Sequence, residues 1–173
     1  MSSFVFISIT ALYFYAFLML AFLTAKKSKL ITDFIAVLFT MILWTGGSLL
    51  MRLQTWPGYR LWYHFSLAGI WLVPYAYFCF IRDFCGQPAR ARHRIWLVLS
   101  LMGCLVNLKT GWLLAAPRLV EVNGGVRFVY DMKWRVGIMY GLCLLIVLHT
   151  LALAVRSRKK QGMTSRVLPL LFG

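Results

Sequence analysis

The sequence predicts an all-α integral membrane helix bundle with five complete transmembrane helices and the start of a sixth. It also predicts a short extracellular β-hairpin between helices four and five. The chain of 173 residues is 61% hydrophobic, whereas soluble domains are roughly half apolar. Its apolar residues fall into runs of about twenty, which is the length of a helix that crosses a bilayer. Length and composition together therefore indicate a multi-pass membrane protein.

We expect a single membrane domain over residues 1–173, with no effector domain in it. The predicted helices cover residues 4–24, 33–51, 61–80, 95–116, 134–155 and 167–173, the last of which is truncated. No positive charge precedes the first apolar run, and Lys26, Lys27 and Lys29 follow it. That order predicts a membrane anchor rather than a cleaved signal peptide.

Two local features are predicted to shape helices two and three. The small residues Gly46, Gly47 and Ser48 lie together near the end of the second run. They predict a close helix contact or a mild kink. Pro74 lies inside the third run and predicts a kink there, which membrane helices tolerate.

The hairpin is predicted from two β-favouring segments, RLVEV and VRFVY, that flank an Asn-Gly-Gly sequence at residues 123–125. A three-residue turn would set Glu121 opposite Arg127. It would also set Val120 opposite Phe128. Both pairs are chemically favourable across two antiparallel strands. We expect this hairpin to lie over the outer mouth of the bundle.

Charge distribution predicts the orientation of the chain. Nineteen Lys and Arg face four acidic residues, and the positive charges lie in short clusters between apolar runs. That pattern is typical of membrane topology and argues against a nucleic-acid partner. The loops after helices one, three and five hold three, four and five Lys or Arg, against two and three after helices two and four. We therefore expect the N-terminus outside the membrane.

The fourth run, residues 95–116, carries small or polar residues at a spacing of four. On a continuous helix they share one face: Gly103, Asn107, Gly111 and Ala115. Such a stripe lets another helix approach closely, and an Asn on it forms a hydrogen bond across the contact. A ligand-contacting role is the alternative for Asn107.

The fifth run contributes a GxxxG pair, Gly137 and Gly141. These glycines are predicted to lie at the same depth as Asn107 and Gly111 of helix four. We therefore predict that helices four and five pack antiparallel through the two stripes of small residues.

Lys109 is the ionisable residue placed most clearly within a predicted helix. It points away from Asn107, because residues two apart lie on nearly opposite sides of a helix. Either its stem extends outward beside Trp112, or its amine faces the bundle interior and attracts an anionic ligand. With His64 at the outer end of helix three, the candidate ligand-binding residues are Lys109, Trp112, Asn107 and His64.

The sequence offers little for catalysis. It has no nucleophile elbow, phosphate-binding glycine loop or carboxylate pair. His64, His93 and His149 are predicted not to cluster, and no CxxC occurs. We therefore predict no catalytic residues, no metal site, no disulfide and no cofactor.

Three stretches resemble the N-terminal seven-helix membrane region of bacterial histidine kinases and diguanylate cyclases. They are FSLAGIWLVPYAYFCFIRDFCG at residues 65–86, VNLKTGWL at 106–113, and FVYDMKWRVGIMYG at 128–141. The first has a Gly, then a Pro among aromatic residues, and ends near a Gly, as the family's third helix does. In the second, Lys109 stands where the family has a His.

This resemblance implies a sensory input module in the bacterial cytoplasmic membrane. A small ligand on the outer side would regulate a kinase or cyclase domain that follows in cis, so enzymatic activity would lie outside this membrane region. The implied seven-helix arrangement makes this chain a fragment that ends within helix six. A small transporter or channel, or a passive anchor that forms homodimers in the lipid bilayer, are the alternatives.

Overall fold

The computed structural model describes residues 3–89, 93–122 and 125–160. Within those ranges the chain forms five helices and one two-stranded antiparallel sheet. In chain order the elements are α1 (Ser3–Thr24), α2 (Lys29–Arg52), α3 (Tyr59–Phe84), α4 (Arg94–Thr110), β1 (Arg118–Val122), β2 (Gly125–Val129) and α5 (Val136–Lys160). The sixth predicted helix, residues 167–173, lies outside the described residues.

The first two helices are antiparallel neighbours. At one end, the guanidinium of Arg52 in α2 lies 3.8 Å from the centre of the Phe4 ring in α1. At the other end, the rings of Phe22 and Phe34 are 4.8 Å apart. The Ser28 side chain accepts a hydrogen bond from the amide of Ile31 and so caps the start of α2.

The later helices also alternate in direction along the chain. Arg82 near the end of α3 reaches Asp33 near the start of α2, and Gln87 after α3 donates to Ser157 late in α5. The hairpin packs on the start of α3, where the rings of Tyr59 and Phe128 are 5.9 Å apart. We call this the hairpin end of the bundle and the opposite one the far end.

Among the described residues, four helices are long and apolar enough to cross a membrane, namely α1, α2, α3 and the Val136–Ser157 part of α5. Their outer surfaces are strongly apolar. In α1 only Ser8 is buried, while Phe6 and Phe17 are 68% and 60% exposed. Apolar surface of this extent on a folded chain is compatible with a membrane protein, in which it would face lipid.

The fourth helix is shorter than predicted. It ends at Thr110 after 17 residues, which corresponds to a length of about 25 Å, below the ~30 Å hydrocarbon core of a bilayer. The prediction of a full-length helix over 95–116 is therefore wrong in its last part. The prediction of five complete transmembrane helices is not confirmed.

Local chemistry ends α4 where it does. Gly111 adopts a left-handed conformation with φ of +59°, the usual conformation just beyond a helix C-terminus. The Thr110 hydroxyl accepts a hydrogen bond from the amide of Trp112 at 3.1 Å, which turns the chain away from the helix axis. Beyond this point the backbone is not helical until the hairpin begins.

The closest helix pair is α2 and α3. A Cβ on Gly47 would lie 2.6 Å from the backbone nitrogen of Ser66, and a Cβ on Gly69 would collide with the backbone of Trp44. The hydroxyls of Ser48 and Ser66 share a 2.7 Å hydrogen bond across the contact. The predicted close contact at residues 46–48 is confirmed.

The hairpin forms, but in a different register. Leu119 pairs with Phe128 and Glu121 with Val126, whereas the prediction set Val120 opposite Phe128. The last pair is Val122 with Gly125, whereas the prediction set Val122 opposite Val126. A shift of one residue moves side chains to the other face of a strand. The predicted pairing of Glu121 with Arg127 is therefore wrong.

The core lies towards the hairpin end. Its buried side chains come from α2, α3, the segment after α4, and α5: Met51, Tyr63, Leu67, Trp71, Leu113, Leu114 and Met139. Phe128 of the hairpin packs against this cluster. The segment between α4 and the hairpin is thus part of the core rather than a surface loop.

Candidate functional site

The segment at residues 111–117 folds back into the hairpin end and is held there by Asn107. The Asn107 carbonyl oxygen accepts hydrogen bonds from the amides of Leu113 (3.0 Å) and Leu114 (2.8 Å). Its amide nitrogen donates to the Leu114 carbonyl at 3.0 Å. The Tyr63 hydroxyl donates to the same carbonyl at 2.8 Å. Non-helical backbone buried among apolar helices needs such partners.

This folded-back segment and the start of α3 line an open cavity of about 360 Å³. We call it the arginine cavity, because Arg60 of α3 and Arg118 of β1 line it. Tyr59 and His64 contribute further polar groups, and Leu108 closes the side towards α4. The cavity therefore brings together two cations that are distant in the sequence.

A second cavity of about 290 Å³ continues along the contact between α3 and α4. We call it the apolar groove, since its walls are almost wholly hydrocarbon, including Phe65, Ala68 and Leu105. His64 and Leu108 line both cavities. The two spaces are thus neighbours that share a boundary.

The charges of the arginine cavity are not neutralised by the part of the chain that the structure describes. There, neither Arg60 nor Arg118 forms an ion pair with a carboxylate, and Arg60 donates only to the Tyr59 hydroxyl, at 3.4 Å. Of the acids at this end, Asp131 lies 3.8 Å from the amine of Lys133. The cavity consequently carries net positive charge available to an anion.

The structure divides the four predicted ligand-binding residues. Asn107 and His64 line the apolar groove, but Lys109 and Trp112 line neither cavity. Lys109 is exposed, and the Trp112 ring lies 5.2 Å from the guanidinium of Arg135. Asn107 is 1% exposed and bound to its own chain, so its main role is to hold the segment after α4.

The predicted packing stripe is also divided. Gly103 does face α5, where a Cβ would collide with the Met139 sulfur. Gly111 and Ala115 lie beyond the end of the helix, which removes them from the stripe. In α5, no described atom lies within 4 Å of a Cβ on Gly137 or Gly141. The two glycines therefore do not form the predicted contact with α4.

At the far end, four charged side chains join α2 to α3. The buried Arg82 contacts Asp83 at 2.5 Å and Asp33 at 3.9 Å, and Lys29 contacts Asp83 at 2.9 Å. Arg82 and Asp83 each expose only 8% of their side chains. Placing two carboxylates beside one buried guanidinium makes each charge depend on the others for compensation.

The far end also contains a histidine pair that the sequence did not suggest. The rings of His93 and His149 are 5.8 Å apart, with Phe78 packed against both. The Trp96 indole donates a hydrogen bond to His149 Nδ1 at 3.0 Å. The prediction that the histidines do not cluster is wrong for this pair, because His93 at the start of α4 packs against Phe78 of α3, beside His149 of α5.

The described residues include no group of three His, Cys, Asp or Glu side chains arranged to hold a metal ion. The four cysteines are free thiols. Outside the long apolar helices, burial raises the pKa of the Tyr130 hydroxyl, against the opposing effect of nearby Arg52. The two guanidinium groups that line the arginine cavity are suited to binding an anion.

Comparison with family models, with curated proteins and with solved structures finds no match to this chain. The resemblance to the membrane region of histidine kinases and diguanylate cyclases therefore stays a prediction.

Proposed function

We propose that this chain is a membrane input module that transmits ligand occupancy at the hairpin end to the far end. The observation that carries the proposal is the position of α3. Its first turns supply Arg60 and His64 to the two cavities, and its last turn supplies Arg82 and Asp83 to the far-end charges. One continuous 26-residue helix thus links the candidate binding site to a polar network at the opposite end.

Pro74 gives this helix a defined weak point between the two ends. Proline has no amide hydrogen, so the helical hydrogen bond to the carbonyl of Ile70 cannot form. A helix with one bond missing bends at lower cost than an intact one. Movement at the hairpin end would therefore be transmitted to Arg82 mainly as a change of angle at Pro74.

The far end has features suited to a two-state response. The buried guanidinium of Arg82 lies between Asp33 of α2 and Asp83 of its own helix. A tilt of α3 would change the distance to Asp33 while leaving the contact within α3 intact. A ligand shifts such an equilibrium only if it binds one arrangement more tightly than the other.

The orientation and the output of the module belong to the same proposal. The greater number of Lys and Arg in the loops at the far end supports a cytoplasmic far end and an outer N-terminus. The output would be a histidine kinase or diguanylate cyclase domain in cis, in a bacterial cytoplasmic membrane. The resemblance described above is the support for that part.

The test measures whether the two ends are coupled. Cys85, at the far end of α3, is labelled with a maleimide in the full chain reconstituted in lipid nanodiscs. We expect the double variant R60Q/R118Q to change the labelling rate by more than about threefold, because it removes both cations that would hold an anion in the arginine cavity and so removes the bias that a bound ligand supplies. Lys109→Gln, an exposed cation outside both cavities, is the matched control.

Equal labelling rates in the wild type, the double variant and the control would refute coupling. That result would favour the passive anchor. The cavities could then still bind a ligand, but occupancy would not be transmitted to the far end.

A further inference from the structure

The geometry points to an anionic phospholipid as the ligand of the hairpin end, with its phosphate in the arginine cavity and an acyl chain in the apolar groove. This inference deepens the proposed function and rests on it for the meaning of occupancy. It concerns the lipid of the leaflet that surrounds the hairpin end. The binding itself is measurable without any output.

The headgroup part of the site is argued from charge. Arg60 and Arg118 approach the same cavity from different elements, and none of the described residues that line it is acidic. Guanidinium groups match the geometry of phosphate oxygens and form paired hydrogen bonds with them. His64 and Tyr59 line the same cavity and offer further hydrogen-bonding groups. A phosphate is therefore the group that this cavity fits best.

The chain part of the site is argued from the groove. Its lining residues are apolar except for His64, Asn107 and the indole N–H of Trp71, and the polar groups of Asn107 are largely committed to the segment after α4. Leu105 and Leu108 on its rim are 57% and 54% exposed, so the groove adjoins a lipid-facing surface of α4. A hydrocarbon chain matches these largely apolar walls, since burying it there costs no desolvation of polar groups of its own.

The shared boundary is what selects an amphiphile over a soluble anion. His64 and Leu108 line both cavities, so one molecule with a charged head and an apolar tail can occupy both. The two volumes, about 360 and 290 Å³, are each near the lower limit of ordinary ligand sites, which span roughly 300–1,000 Å³. Together they accommodate more of a lipid than either would alone.

Native mass spectrometry of the purified full chain tests the headgroup. The probes are phosphatidylglycerol and phosphatidylethanolamine with identical acyl chains. We expect the wild type to retain the anionic lipid preferentially and R60Q/R118Q to lose about tenfold of that preference, as expected when charge-assisted hydrogen bonds are removed. R60K/R118K should recover part of it, and Lys109→Gln should leave it unchanged.

A second variant tests the groove separately from the charge. Ala68→Phe places a ring in the groove, and Ala36→Phe places one on an exposed position of α2 as the matched control. We expect only Ala68→Phe to reduce retention of phosphatidylglycerol. Glycerol phosphate, which lacks the chain, should fail to displace the lipid. Thermal unfolding of each variant verifies that the chain remains folded.

Three outcomes would overturn the inference: equal retention of the two lipids by the wild type, an unchanged preference in R60Q/R118Q, or displacement by glycerol phosphate. Each of these leaves the input-module proposal to its own cysteine-labelling test. Conversely, selective lipid binding with no change at Cys85 would refute only the input module. The two failures are thus distinguishable.

Discussion

The side-chain amide of Asn107 donates a hydrogen bond to the carbonyl of Leu114, seven residues further along the chain and beyond the end of its own helix. The same side chain accepts from the amides of Leu113 and Leu114. One residue of α4 therefore replaces the helical partners that the following backbone lacks. This arrangement lets the chain leave the helix at Gly111 and form one wall of the arginine cavity.

Removing this side chain should destabilise the hairpin end. Asn107→Ala leaves two buried amides without partners, and we expect a loss of about 3 kcal/mol in the free energy of unfolding. Tyr63→Phe removes one of two donors to the Leu114 carbonyl, and should cost about 1 kcal/mol. Thermal unfolding in one detergent compares the two variants.

Hydrogen exchange of individual amides shows where each of these two variants, Asn107→Ala and Tyr63→Phe, loses protection. The amides of Leu113 and Leu114 should exchange much faster in Asn107→Ala and at nearly the wild-type rate in Tyr63→Phe. Equal exchange in the two variants would contradict the role assigned to Asn107.

The helices were largely predictable because a bilayer requires long apolar runs. The first run was placed at residues 4–24 and α1 covers Ser3–Thr24. The end of α4 was not predictable in the same way. A glycine within an apolar run is compatible with a helix, and what ends the helix is the set of contacts that Asn107 makes after the chain turns. Those contacts exist only in three dimensions.

The candidate site was predicted less well than the fold. Arg60 and Arg118 counted only as loop charges in the sequence, since nothing in their spacing places them in one cavity. The nearest signal was the position of each beside the end of an apolar run. Lys109 lies within an apolar run, which favours it as a candidate, but it lines neither cavity. Tertiary packing, rather than local pattern, determined which cations converge.

Small residues predict a close helix contact correctly at residues 46–48, but the contact predicted at Gly137 and Gly141 does not form. The sequence cannot show which face of a helix meets a neighbour. The closest contact is between α2 and α3, at Gly47 and Gly69, rather than at Gly137 and Gly141.

This difference predicts opposite effects of Gly→Ala. Gly69→Ala places a Cβ against the backbone of Trp44, where no side chain can move aside, and should cost about 1–3 kcal/mol. Gly141→Ala has open space among the described residues and should be neutral or stabilising by up to about 1 kcal/mol, through helix propensity. Thermal unfolding of the two variants compares their stabilities. A larger loss of stability in Gly141→Ala than in Gly69→Ala would show that the closest glycine contact is made by α5.

The far-end charges predict a strong asymmetry between two cations that contact the same carboxylate. Arg82→Met leaves Asp33 and Asp83 without their buried guanidinium, and should cost about 3–5 kcal/mol. Lys29→Met should cost no more than about 1 kcal/mol, because the Lys29 side chain is 64% exposed and its ion pair is screened by water. Denaturant unfolding at matched ionic strength measures both, and comparable losses would contradict the burial argument.

The hydrogen bond between Trp96 and His149 predicts the tautomer of a partly buried imidazole. An indole nitrogen only donates, so His149 Nδ1 must accept and the ring proton must lie on Nε2. Nitrogen NMR of selectively labelled His149 should show this tautomer in the wild type, and its excess should fall in Trp96→Phe. That variant should also lose about 1 kcal/mol of stability. His149 packs beside His93 and Phe78 at the far end. A proton found on Nδ1 of His149 in the wild type would contradict the hydrogen bond from Trp96 that joins α4 to α5 there.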